Sequence, residues 1–155
     1  MYYSITNAEH NIRIINLSED GQNICAKMYL NYMNNVINLS YVECNCISMK
    51  GRCFEIFMNI LYQTATSGEL FQHKIHDMNT SVELFVSPAN ADNDAINKLK
   101  RLYSRFGFME DASIDNFMQS TLAKIGVKNS LGGSRKRSRS RSYALRRRSS
   151  RRCIS

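Results

Sequence analysis

The stretch Ser81–Phe108 constrains the fold more than any other part of the 155-residue chain. Val82, Leu84 and Val86 alternate with Glu83, Phe85 and Ser87, which predicts a strand with one apolar face. Pro88-Ala89-Asn90 breaks the alternation. Ile96, Leu99, Leu102, Tyr103 and Phe106 then recur every three or four residues, the period of a helix with one apolar stripe. Gly107 stands where a helix end favours a residue that tolerates positive φ, and Phe108 can fold back onto the last turn. Strand, turn, helix and glycine stop form one supersecondary unit.

The residues before this unit read as strands joined by tight turns, then a helix. Tyr2–Ile5 and Ile12–Ile15 are two short strand candidates. Asp20-Gly21 marks a turn, residues 24–33 a strand, Asn34-Asn35 a second turn and residues 36–47 a long strand. In that last strand Ile37, Leu39 and Tyr41 alternate imperfectly with Asn38, Ser40 and Val42. Residues 52–66 predict a helix whose stripe is Phe54, Phe57, Met58 and Leu61. After Phe108, residues 109–127 fit either two closing strands or, over Ser113–Ile125, a capped amphipathic helix carrying Ile114, Phe117, Met118 and Leu122.

The heptapeptide Leu102-Tyr103-Ser104-Arg105-Phe106-Gly107-Phe108 resembles the LY-x-x-x-GF signature of the GCN5-related N-acetyltransferases. The resemblance covers residues 36–108. It implies an α/β (α+β) domain, a mixed and mostly antiparallel sheet with helices on both faces, over residues 1–128. It also implies acetyl-CoA as the cofactor and transfer of its acetyl group to an amine, a protein lysine or an N-terminal amine being suitable acceptors. The family tyrosine lies near the cofactor sulfur and returns a proton to the departing thiolate, a role that falls to Tyr103; a plain core tyrosine is the other reading. Glu43, the one acid of the segment 41–47 that resembles the fourth family strand, is the candidate base, against a solvated outward side chain. Such a base needs a carboxylate whose affinity for protons is raised by burial.

The family cradles the pyrophosphate of CoA in a [QR]-x-x-G-x-[GA] loop leading into a helix. Unpaired N–H donors and the positive helix end attract an anion there. The matching residues are Cys46, Ile47, Ser48, Lys50, Gly51, Arg52 and Cys53. One register sets Gly51 on the first glycine, Ser48 on the Gln/Arg position and Cys53 on the second small position. The other sets Lys50 on the arginine, with Cys53 and Glu55 on the small positions. Lys50 and Arg52 add charge suited to phosphate. Asn90 matches a position where the family often has a cofactor-contacting asparagine. The family also inserts two helices between its first two strands, and too few residues precede Asp20 to build both.

Charge divides the chain in two. The net charge is +8, yet ten of the 21 Lys and Arg residues fall after residue 133, where there is no acid. Eleven basic residues against all 13 acids leave residues 1–133 at a net −2. The tail, residues 134–155, carries Arg135, Lys136, Arg137, Arg139, Arg141, Arg146, Arg147, Arg148, Arg151 and Arg152 among serines, after a Gly-rich joint at residues 129–133. Such a segment cannot bury enough apolar surface to fold alone and suits phosphate backbones, so DNA or RNA is its expected partner. A nuclear-import signal and a solubilising extension are the other readings. A non-catalytic protein of the same fold that binds nucleic acid through the tail is the competing reading of the whole chain.

Other classes are set aside. No apolar run reaches the roughly 18 residues that span a bilayer, so no membrane partner is expected. The start MYYSITNAEH lacks the basic and apolar parts of a secretory signal. Five cysteines without framework spacing read as reduced thiols, and His73-x-x-His76 has no companion ligands, so no metal is expected. These features point inside a cell. With the protamine-like tail and a composition rich in Asn, Ile, Met and Lys, they fit the nucleus or the factory or virion of a large DNA virus.

Overall fold

A computed structural model of the chain describes residues 1–9, 11–87, 92–127 and 146–147. Four antiparallel strands come first: β1 (Tyr2–Asn7), β2 (Ile12–Ser18), β3 (Ile24–Met33) and β4 (Val36–Cys44). Local chemistry fixes their turns. Asp20 accepts hydrogen bonds from the N–H groups of Gln22 and Asn23 between β2 and β3. Asn34 and Asn35 adopt φ of 53° and 61° between β3 and β4, a left-handed conformation that asparagine tolerates well. A single 3-10 turn, Ile47–Met49, leads into α1 (Cys53–Ser67), which crosses to β5 (Ser81–Phe85). β5 pairs parallel with β4, and α2 (Asn93–Ser104) then connects to β6 (Met109–Glu110) and β7 (Phe117–Thr121). Residues 122–127 are helical. The sheet order is β6-β7-β5-β4-β3-β2-β1, and β8 (Arg146–Arg147) pairs parallel to Tyr2 and Tyr3 beyond it.

Residues paired across a sheet share a face, so register separates the two sides. Ile15, Met28, Leu30, Leu39, Val82 and Leu84 share the inner face, all nearly or fully buried. α1 meets it with Phe57, Met58, Ile60 and Leu61, each fully buried. α2 lies at the rim. It has no fully buried residue, but Ile96, Leu99, Leu102 and Tyr103 pack against the core, and Phe106 and Phe108 after it are buried. Gly107 between them has φ 82°, and an added Cβ would sit 2.7 Å from Lys124 Cβ and 3.1 Å from Ser120 Oγ. Glycine is required there by backbone and by space.

The fold class is the one expected, a mixed and mostly antiparallel sheet with helices. β1 and β2 are joined by a tight turn, with Ala8 N–H donating to Ile12 O at 3.0 Å, so no helix stands between them. The helices bury their apolar residues against the inner face, and the outer face carries exposed Tyr41 and Phe85. The segment after Phe108 resolves in favour of strands: β7 pairs with β5 over five residues, burying Phe117 and Met118, which a helix could not do in that register.

Candidate active site

β4 and β5 run side by side only from Val36 and Ser81 to Leu39 and Leu84. At the next residue β4 changes phase: Tyr29 of β3 faces Tyr41 and Leu30 faces Leu39, so Ser40 is an extra residue in the strand. A bulge of this kind bends its strand and ends regular pairing. Beyond it the two strands part and enclose a cleft of about 330 Å³. Its walls are Leu39 to Val42 on one side and Leu84, Phe85 and Ser87 on the other, with Phe54 and Tyr103 closing it. Because Phe54 is the second residue of α1, the cleft opens beside that helix's N-terminus.

The start of α1 is built differently from the start of α2. Asp92 caps α2 by accepting from Asp94 N–H at 2.9 Å, and Asp94 adds a second acid in the first turn. Arg52 gives α1 no side-chain cap, and the Cys53 and Phe54 N–H groups have no acceptor among the described residues. Gly51, at φ 80°, has nothing within 4 Å of where a Cβ would be. Lys50 is exposed, and Arg52 lies 3.8 Å from Glu55 on the helix's first turn. Free donors, a positive helix end and open space beside the backbone suit an anion such as a phosphate.

Tyr103 meets the cleft from α2. Its ring packs on Phe54 at 4.8 Å between centroids and on Phe108 at 6.2 Å. Burial pushes its phenol above the ordinary value, so the hydroxyl keeps its proton at neutral pH. That hydroxyl has no hydrogen-bond partner among the described residues.

Glu43 is placed differently. It pairs with Lys27 across β3, and its carboxylate accepts from Asn45 Nδ2 at 3.1 Å and Tyr41 Oη at 3.5 Å. It lies on the outer face with Tyr41 and is not among the cleft's lining residues. Ser48, at the family's Gln/Arg position, is held by Glu19, whose carboxylate accepts from Ser48 N–H at 2.9 Å and Oγ at 2.8 Å. Those bonds hold the Glu19 carboxyl below its usual range. Ile47 is almost fully exposed. Asn90 and all of the tail except Arg146 and Arg147 lie outside the described residues.

The cysteines require a correction. Four of the five are not separate thiols: Cys25 bonds to Cys46 and Cys44 to Cys53. Irregular spacing in sequence hid the pairing, because the β3–β4 ladder and the turn into α1 bring the four together. His73 stacks on Tyr32, with Nδ1 3.1 Å from Phe71 O, and takes part in no metal-type cluster among the described residues.

No protein-family model matches the sequence. No curated protein matches it either. Among solved structures, one chain of the KacTA–DNA complex aligns over 77% of this chain and 74% of its own, at 12% identity and TM-score 0.47. A mutant AtaT toxin bound to the C-terminus of the antitoxin AtaR and acetyl-CoA aligns over 75% and 70%, at 12% identity and TM-score 0.44. AtaTR bound with AcCoA aligns over 75% and 69%, at 10% identity and TM-score 0.43. A mixed, mostly antiparallel sheet with helices is the fold class that the signature implied.

Within this fold, sequence reasoning missed most of the cleft wall. Phe54 was read only as part of a core stripe, and Leu84 to Ser87 only as a strand. The bulge at Ser40 had a signal in the broken alternation after Leu39. The Glu19–Ser48 contact, 29 residues apart, had none.

Proposed function

We propose that the chain is an acetyl-CoA-dependent N-acetyltransferase acting on an amine. One observation carries this reading: the cleft where β4 and β5 part is closed by Tyr103 and opens beside the uncapped start of α1. Acetyl-CoA would supply the activated acetyl thioester. The residues present fit it. The N–H groups of Gly51, Cys53 and Phe54, with the Lys50 and Arg52 side chains, would hold its phosphates, and the edge of β4 past Leu39, no longer paired to β5, would hold its amide-bearing arm. Backbone N–H groups near the Ser40 bulge would receive the carbonyl oxygen as it gains negative charge. Tyr103 gives its proton to the departing thiolate. Glu43, beside Tyr41 on the outer face, would take the proton of an amine arriving from that side, directly or through water.

Residues 1–128 would form the catalytic domain and 129–133 a joint. The tail, residues 134–155, would bring the domain to nucleic acid inside a cell, in a nucleus or a virus factory, and so to protein amines bound there. The non-catalytic reading has its own support. Cys46 and Cys53 are bonded away, Ser48 is taken by Glu19, and Arg52 faces Glu55, so the loop's side chains turn to one another.

Calorimetric titration of acetyl-CoA separates the two, using the full chain and a chain ending at Gly133, because ten cations attract any CoA phosphate. The enzyme reading expects saturable micromolar binding in both, lost in Gly51→Glu. It also expects turnover that falls about a hundredfold in Tyr103→Phe while binding persists. Absence of binding at millimolar cofactor leaves the non-catalytic reading.

A further inference from the structure

Four cysteines meet at one corner of the molecule. Cys25 comes from β3, Cys44 from the end of β4, Cys46 from the linker and Cys53 from the first position of α1. Their sulfurs fall in two overlapping groups that share Cys46. Those of Cys44, Cys46 and Cys53 all lie within 4.8 Å of one another, and Cys46 also groups with Cys25 and a Glu19 oxygen within the same limit. A tetrahedral zinc ion bonded to sulfur at about 2.3 Å keeps its sulfurs about 3.8 Å apart.

We propose that the reduced chain binds one zinc ion through the thiolates of Cys25, Cys44, Cys46 and Cys53. The two disulfides are the oxidised, metal-free form of the same site. A dithiol or phosphine reductant supplies two electrons to each disulfide, giving four thiols. Zinc then displaces four protons and leaves a tetrathiolate of net charge −2. Four protein sulfurs and no open position make this a structural site.

The surroundings support that assignment. Pairing of Ala26 with Cys44, and the bond from Asn45 N–H to Cys25 O at 2.7 Å, hold three of the donor segments together through backbone contacts that do not involve sulfur. Cys53 begins α1, where the positive end of the helix favours an anionic sulfur. Cys46 and Cys53 are buried whereas Cys44 is exposed, so the site has a protected interior and an entrance. Glu19 is a poor competitor as ligand, since Ser48 already donates to it twice. The ion would tie the linker and the start of α1 to the β3–β4 hairpin, whether or not the cleft binds acetyl-CoA.

The full chain, reduced without oxygen and dialysed against zinc, tests this directly. One zinc per chain should remain, and four of the five thiols should resist alkylation until a chelator is added. Cobalt in place of zinc should give the sulfur-to-metal charge-transfer band and the intense visible bands of a tetrahedral thiolate site. Cys46→Ser and Cys53→Ser should each weaken binding more than tenfold, and Cys153→Ser should change nothing. A reduced chain that keeps its circular dichroism, retains no zinc and exposes all five thiols overturns the proposal. So does a cobalt spectrum without tetrahedral thiolate bands, which needs no variant to read.

Discussion

The two faces of the sheet are stabilised in different ways. The inner face is dry and continuous: Ile15, Met28 and Leu30 meet Phe57 and Leu61 of α1 with no exposed surface. The outer face holds together by local polar contacts. Asn16, almost fully buried, donates from Nδ2 to Thr6 Oγ1 at 3.0 Å and Ser4 Oγ at 3.3 Å, while Tyr41, on the same side, is 55% exposed. Stability therefore resides on the side that packs α1. The other side of an antiparallel sheet can face water at little cost.

Truncation on the two faces should differ most. Phe57→Ala removes a fully buried ring from the centre of the α1 contact and should cost about 3–5 kcal/mol in urea unfolding. Tyr41→Ala should fall within about 0.5 kcal/mol of the parent. Similar losses at the two sites would show that something covers the outer face.

Much of this contrast could be read from residues. The Asn34-Asn35 turn, the strand at residues 24–33 and the stripe of α1 follow from turn chemistry and period, which are local. The signature around Tyr103 and Gly107 likewise depends on neighbours a few residues away. The bulge was half legible: Ile37 and Leu39 point inward, then Val42 and Cys44 do, and the change of phase at Ser40 is what the imperfect alternation recorded. What could not be read depends on contacts between distant segments. The cysteine cluster joins residues 21 apart in sequence, and the direct β1–β2 turn is closed by a backbone bond between Ala8 and Ile12.

Gly107→Ala probes the point where α2 joins the inner face. The new methyl group would meet Lys124 Cβ at 2.7 Å while the backbone holds φ at 82°. A loss of about 1–3 kcal/mol is expected, since both strain and displacement of Lys124 contribute. A neutral result would mean that the end of α2 shifts freely and that Tyr103 is not firmly held over the cleft.

Asn16→Ala asks how much the outer face's polar contacts contribute. Its loss strips the Ser4 and Thr6 hydroxyls of a partner and should cost about 1–2 kcal/mol. That places it between the two truncations above. A cost as large as that of Phe57→Ala would make the outer face an equal partner in stability.

The smallest effect is electrostatic and depends on pH. Asp20, fully exposed in the β2–β3 turn, accepts from Asn23 N–H, Gln22 N–H, the Asn23 side chain and the Ser18 hydroxyl. These bonds favour its ionised form and hold the carboxyl far below the usual carboxylate range. The sign follows from the depressed value. The folded state prefers the carboxylate more than the unfolded chain does, so the stabilisation is complete above the unfolded value of about 3.9 and fades as pH falls through the folded one. Asp20→Asn should therefore lower the urea midpoint slightly at pH 7, and the gap from the parent should narrow below about pH 4. The deficit of Phe57→Ala, which involves no titrating group, should keep its size over the same range. A gap at Asp20 that does not change with acid would mean that its charge is irrelevant and that the turn is held by hydrogen-bond geometry alone.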